Sequence, residues 1–207
     1  MFPEAPKPHY TGQGSWRAVV PRPPEIQRAA IFMGPNIKAG VNPVSKDEMY
    51  LFVTEPRASA EFIDEKLWPD TLRALLAPFG GAVGVIRDGL NAESRIVYRP
   101  FWALLVPPAW HRGRVVMIGD AVHATTPHLA SGAGIGIEDA IVLAQELERN
   151  NDVEQALTAF TARRYERCRT VVENSLRLGE MEVAGAPKEE HAQLMRTAAP
   201  EHKQPVH

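Results

Sequence analysis

Cysteine is almost missing from this 207-residue chain, in which Cys168 stands alone. A single thiol cannot build an internal disulfide framework. The usage fits a reducing compartment, with the cytoplasm as the default. Long apolar runs are missing too: no stretch approaches the ~18–20 residues needed to span a bilayer. Met1-Phe2-Pro3-Glu4 also lacks the basic segment and apolar run of an export signal, so neither a membrane span nor secretion is expected. Charge of one sign is not in excess. A formal net charge of -2 with 44% hydrophobic residues excludes a disordered chain and a polyanion-binding body, so nucleic acid is not an expected partner. There is no internal repeat. The last absence is a G-x-G-x-x-G loop after an N-terminal strand, the pattern that lets a backbone cradle a dinucleotide pyrophosphate.

What remains is long enough to bury a core as one large domain or two small ones. Residues 1–9, with three prolines, read as an extended lead-in. Residues 14–20, 29–34 and 48–54 read as strands, the last two joined by a turn over 40–47, which makes this half an antiparallel sheet. Ser59 to Phe79 reads as two short covering helices broken at Trp68-Pro69. Val83–Arg87 and Arg95–Leu105 return to strand-like composition, and the second run carries Tyr98, Phe101 and Trp102 on what reads as an aromatic-lined face. Val115–Ile118 reads as a short strand buried on both faces and added to a sheet whose other strands lie elsewhere. The following helix places Ile137, Ala140, Ile141, Ala144 and Leu147 on one apolar face. Asp152 then caps a second long helix to about Leu178, with Arg163, Arg164, Arg167 and Arg169 read as a solvated outer face. Beyond Gly179 the composition predicts a frayed polar tail.

The chemistry concentrates between Arg114 and Ala140. Asp120 follows the strand at its carboxyl end, where ligands bind in open α/β sheets and where a carboxylate can accept from sugar-alcohol hydroxyls. An Asp capping its own turn is the competing reading. Gly132, Gly134 and Gly136 around Ala133 precede a helix, so backbone N–H groups can approach a ligand. The helix amino terminus adds roughly half a positive charge, suited to a ring that becomes anionic on reduction. Close packing of a small-residue helix would use the same glycines. A metal set of Asp120, His123 and His128 is disfavoured because Pro127 breaks any helix between the histidines. No metal is expected, and His123 reads as an orienting or packing residue.

Gly119-Asp120-Ala121-Val122-His123, Pro127-His128 and Gly132-Ala133-Gly134 through Glu138-Asp139-Ala140 resemble the flavin-contacting segment of single-component FAD-dependent aromatic hydroxylases, the salicylate-hydroxylase-like branch above all. Trp110-His111-Arg112-Gly113-Arg114 and Trp16-Arg17 support the likeness, which runs from about Tyr10 to Gly179. The resemblance implies a fold with α+β and α/β character. An antiparallel substrate-domain sheet with covering helices (10–105) would precede the C-terminal strand and helices of a split FAD-binding domain (106–180), with 181–207 as the tail. It implies that Gly119, Asp120, His123, Pro127, Gly132, Ala133 and Gly134 bind FAD, with Asp120 on the ribityl chain and the three amides at the pyrimidine edge. Pro127 would sit beside the flavin where the hydroperoxide forms. Arg17, Tyr98, Phe101 and Trp102 are the substrate-facing candidates. Where many family members have Gly and Asn, this chain has Ala130 and Gly134, so only backbone contacts carry over there.

The implied activity is NAD(P)H- and oxygen-dependent hydroxylation of a small aromatic or related ring. The resemblance also implies that Met1 falls just after a second dinucleotide motif. A fragment, a mis-assigned start or half of a split protein would each explain that. Two alternatives stand beside the enzyme: a remnant or subunit that needs a separate N-terminal FAD-binding half, and a non-catalytic small-ligand module.

Overall fold

The computed structural model describes residues 5–34 and 37–202. The chain divides into two compact units, one of residues 12–101 and one built from the residues on either side of that stretch. Of the expected lead-in, residues 1–4 lie outside the described residues and His9 already begins a strand.

In the 12–101 unit, strands β1 (His9–Pro21), β2 (Ala30–Met33), β3 (Lys38–Pro43), β4 (Glu48–Pro56) and β5 (Arg95–Ala103) form one sheet in the order β2-β3-β4-β1-β5. The pairs β1/β4, β2/β3 and β3/β4 are antiparallel. Alternation sends Trp16, Ala18 and Val20 of β1 inward with Leu51 and Val53 of β4. The expected turn over 40–47 is shorter than its composition suggests, because Lys38–Pro43 pairs with β4 and only Val44–Asp47 turn the chain. Gly40 is needed there: a Cβ would fall within 2.1 Å of the Phe52 ring, which lies across it from the partner strand.

Two helices cover the sheet, α1 (Trp68–Leu76) and α2 (Gly81–Gly89). Pro69 does not break a helix but sits in the first turn of α1, where a missing N–H costs nothing. Before it lies only a 3-10 turn, Glu65–Leu67, capped by Asp64. The strand expected over Val83–Arg87 is instead α2. β-branched composition favours a strand, but Val83, Ile86 and Leu90 follow helical spacing and pack inward, and the Arg87 guanidinium donates to the carbonyls of Ala77 and Phe79.

The other unit opens with residues 104–106 bonded to 122–124, Leu104 N–H to Ala124 O at 2.9 Å and Val106 N–H to Val122 O at 2.8 Å. The hairpin β6 (His111–Arg112)/β7 (Val115–Val116) follows, then α3 (Asp120–His123), a 3-10 turn over Pro127–Leu129, α4 (Gly132–Arg149), α5 (Val153–Ala184) and α6 (Lys188–His202). Their core gathers Trp110, Val122, Ile135, Val142, Phe160 and Val171.

Four expectations are corrected here. Val115–Ile118 is not a buried parallel strand: β7 pairs only with β6, and Val115 and Ile118 are 53% and 37% exposed, because no parallel neighbour flanks them among the described residues. The face of α4 expected to be buried is its outer one, with Ile137 64%, Ile141 47% and Leu147 44% exposed, while Ile135, Asp139, Val142 and Glu146 face inward. Arg164 is not solvated but fully buried. The tail does not fray from 179: α5 continues to Ala184, Gly185 closes it in the left-handed conformation, and α6 packs back on α5. No helix of the described residues is long and apolar enough to cross a membrane.

Candidate functional site

Between β7 and α3 the chain turns at Gly119, whose φ of 61° and ψ of -142° are open only to glycine. The turn leaves the Asp120 carboxylate exposed, while the amides of Val122 and His123 both donate to Gly119 O at 3.0 Å. The 3-10 turn then presents Pro127 at the surface and ends at Ala130 in the left-handed region, φ 50°.

This conformation delivers the chain into α4 without a cap. The Ser131 hydroxyl is spent on Leu129 O at 2.9 Å, and the first helical bond is Ile135 N–H to Ser131 O. The amides of Gly132, Ala133 and Gly134 therefore carry the positive end of an 18-residue helix with no side chain capping them. A Cβ at Gly134 would meet nothing within 4 Å, whereas one at Gly132 would press on Thr125 at 3.1 Å. Exposed Asp120 and these amides are thus separate outputs of one continuous segment. A carboxylate for alcohol hydroxyls and a row of amides for an electron-rich ring edge fit the flavin half of FAD.

Behind this surface lies a buried ionic chain that the sequence reading did not find. Asp139 is fully buried. Its Oδ2 accepts the Gly119 N–H at 2.9 Å and His123 Nε2 at 2.6 Å, and its Oδ1 accepts Arg164 Nε at 2.7 Å. Arg164 also donates to Ile135 O at 3.1 Å and pairs with Glu138 at 2.9 Å, and Arg167 holds Glu138 from its other side through two bonds of 2.5 Å. Burial by itself would raise the Asp139 carboxyl, but the hydrogen bonds from His123, Arg164 and the Gly119 amide outweigh it and hold Asp139 below the usual carboxylate range. Glu138 is lowered likewise, the arginines overcoming burial.

His123, 1% exposed, is thus buried beneath the turn. Its Nε2 carries the proton toward Asp139, and its Nδ1 is buried with no hydrogen-bond partner among the described residues, 5.5 Å separating its ring from that of Trp110. The atoms of His123, Asp139 and Cys168 lie within 4.8 Å of one another, but the Arg164 guanidinium already neutralises Asp139, and burial pushes the Cys168 thiol up to about 12. A cation would have to displace both. His128 turns inward to Thr126 Oγ1 at 2.8 Å and Glu182 at 3.4 Å, away from exposed Asp120, so the set of Asp120, His123 and His128 is not assembled.

The substrate candidates separate. Arg17 is exposed on the face of β1 opposite Trp16, level with Phe52 of β4. Tyr98 and Phe101 are buried, and the Tyr98 ring packs 4.6 Å from that of Trp16 with the Arg57 guanidinium over it. Trp102 is 46% exposed with its ring 5.8 Å from Tyr10. The three aromatics therefore do not share one face, because the inward phase of β5 shifts between Tyr98 and Phe101. Arg17, Tyr98 and Phe101 belong to the 12–101 unit, whereas the segment from Gly119 to Gly134 belongs to the other.

Arg164 did leave a signal in the sequence. Leu157, Phe160, Thr161, Arg164, Cys168, Val171, Val172 and Ser175 are one buried stripe at helical spacing, and Arg164 interrupts it. A cation in an apolar stripe demands a buried anion, and Asp139 supplies it.

Comparison with known proteins bears on this geometry directly. The chain is 32% identical over 189 residues to YetM of Bacillus subtilis, covering 90% of this chain and 51% of that protein. It is 33% identical over 180 residues to the aurachin C monooxygenase/isomerase of Stigmatella aurantiaca, covering 85% and 46%. The structure of Klebsiella pneumoniae HpxO complexed with FAD and uric acid superposes with a TM-score of 0.77 at 23% identity, over 95% of this chain and 53% of that one, which shows a shared fold. The chain spans about half the length of the curated relatives it matches. The FAD binding domain family matches residues 26–175, and the chain belongs to that family, which includes FAD-dependent monooxygenases.

Proposed function

We propose that this chain carries the flavin-ring half of the FAD site and the substrate sheet of a monooxygenase that uses NAD(P)H and dioxygen to hydroxylate a small aromatic or related heterocyclic ring. The observation that carries the reading is the uncapped amino terminus of α4, amides of Gly132, Ala133 and Gly134, in one segment with exposed Asp120. FAD bound there supplies two-electron transfer from NAD(P)H and activation of dioxygen, one oxygen atom going to the ring and the other to water. In this reading Asp120 accepts from a ribityl hydroxyl, the three amides hold the pyrimidine edge, and Pro127 packs beside the ring. Arg17, exposed on the sheet of the 12–101 unit, is the substrate-facing candidate there, with Tyr98 and Phe101 buried in the same unit, and Trp102 is the exposed aromatic candidate of the other.

A second observation favours completion by another polypeptide segment. Val115, Ile118, Ile137, Ile141 and Leu147 leave an apolar row uncovered on one unit. Together with the half-length match to relatives, this row supports a nucleotide-binding half, in cis or in trans, that covers it and holds the ADP moiety.

The test is to titrate FAD into the purified chain, alone and with the nucleotide-binding half of a relative fused before it, and to follow flavin fluorescence, NAD(P)H oxidation and ring hydroxylation. Fusion should tighten FAD binding and confer NAD(P)H oxidation. Asp120→Ala in the fused protein should weaken FAD by tenfold or more, about 1.4 kcal/mol for each factor of ten. Unchanged flavin affinity in that variant would remove Asp120 from the site.

A further inference from the structure

We propose that Arg164 is the positioning residue that fixes the two FAD-facing arms relative to each other, and that Glu138 and Arg167 brace it. This rests on the flavin reading for its functional consequence but not for its structural one. The two arms are the Gly119-Asp120 turn and the first turn of α4, separated in sequence by the rest of α3 and a 3-10 turn. Asp139, itself on α4, joins them through the Gly119 amide, so whatever orients that carboxylate sets the joint. Arg164 sets that joint from α5: Nε binds one oxygen of Asp139, leaving the other aimed at the Gly119 amide, and a terminal nitrogen binds Ile135 O one turn earlier on the same helix. The remaining terminal nitrogen meets Glu138, which Arg167 clamps at 2.5 Å. A planar five-donor fork can serve three acceptors at once in a fixed geometry, and an ammonium on a flexible stem cannot. Complete burial of Arg164 and Asp139 means that solvent offers neither of them an alternative partner.

The experiment is amide hydrogen exchange on the full chain with Arg164→Lys, Arg164→Gln and Arg167→Gln, together with FAD titration of each in the fused protein. Lysine keeps the charge, so Arg164→Lys should stay folded while exchange at the amides of Gly119 and of Ile135, the first bonded amide of α4, speeds up by about tenfold or more, the size of a lost bond to a charged group. The remainder of α5 should keep its protection, and FAD should bind more weakly by a similar factor. Arg164→Gln should exceed the lysine variant at both arms. Arg167→Gln, which removes only the brace, should leave Gly119 protected.

A folded Arg164→Lys protein with wild-type exchange at both arms would overturn the proposal, as would an Arg167→Gln variant that loosens Gly119 equally. If Arg164→Gln does not fold, the lysine variant alone decides. If wild-type fused protein binds no FAD, the flavin reading fails while the exchange result still judges the role of Arg164.

Discussion

Asp139 occupies a position where one atom decides between stability and strain. Its folded-state pKa is lowered, so its ionisation stabilises the fold fully above the unfolded carboxyl value of about 3.9 and less as pH falls through the lower folded value. Asp139→Asn should therefore lower Tm most at neutral pH, and the gap to wild type should close in acid below about pH 4. Melting curves between pH 7 and pH 3 check this, and a gap that widens in acid would contradict it. Gly119 answers to backbone geometry instead: with φ at 61° and ψ at -142°, Gly119→Ala should cost about 1–3 kcal/mol in denaturant melts. Cys168, buried with its thiol raised to about 12, should resist iodoacetamide at pH 8 in the native chain and react only on unfolding.

Helices and strands show how far local pattern reaches. β1, β4 and the long helices were legible because their signals are redundant: alternation in Trp16, Ala18 and Val20, and the Asp152 side chain accepting the Gln155 amide at 2.8 Å. α2 was not, since Val83, Val85 and Ile86 weigh toward a strand by composition and only the packing of Val83 and Ile86 in the core, with Val85 left exposed, discloses the helix. In α4 the two apolar faces compete. The sequence favours Ile137, Ile141 and Leu147, but the face that carries Asp139 and Glu146 is buried, because Arg164 and Arg163 on α5 supply their partners. Charges at helical spacing read as solvated unless both halves of the ion pairs are considered together. Asp120, Pro127 and Gly132–Gly134 stand in the sequence as one ordered run, and the ionic chain behind them does not, because its links span 16 to 29 residues. At this scale Ile141→Glu should leave the melting of the unfused chain within about 0.5 kcal/mol of wild type, as for an exposed site. In the fused protein the same change should lower Tm by several degrees, and equal effects in the two contexts would argue that nothing covers this face.

The molecule as a whole divides between a unit formed by one continuous stretch and a unit formed by the flanking segments. The sheet and its two helices carry their own core from Trp16 to Tyr98, so residues 9–103 expressed alone should show a single cooperative thermal transition, and a broad non-cooperative melt would contradict that independence. The uncovered row on the other unit, Val115, Ile118, Ile137, Ile141 and Leu147, has a consequence outside the test tube. Exposed apolar surface of this kind is what chaperones and proteases recognise, so the steady-state abundance of the chain in a cell should track the supply of whatever covers it. Dosage of a partner segment, more than the intrinsic stability of this polypeptide, would then set how much of it survives.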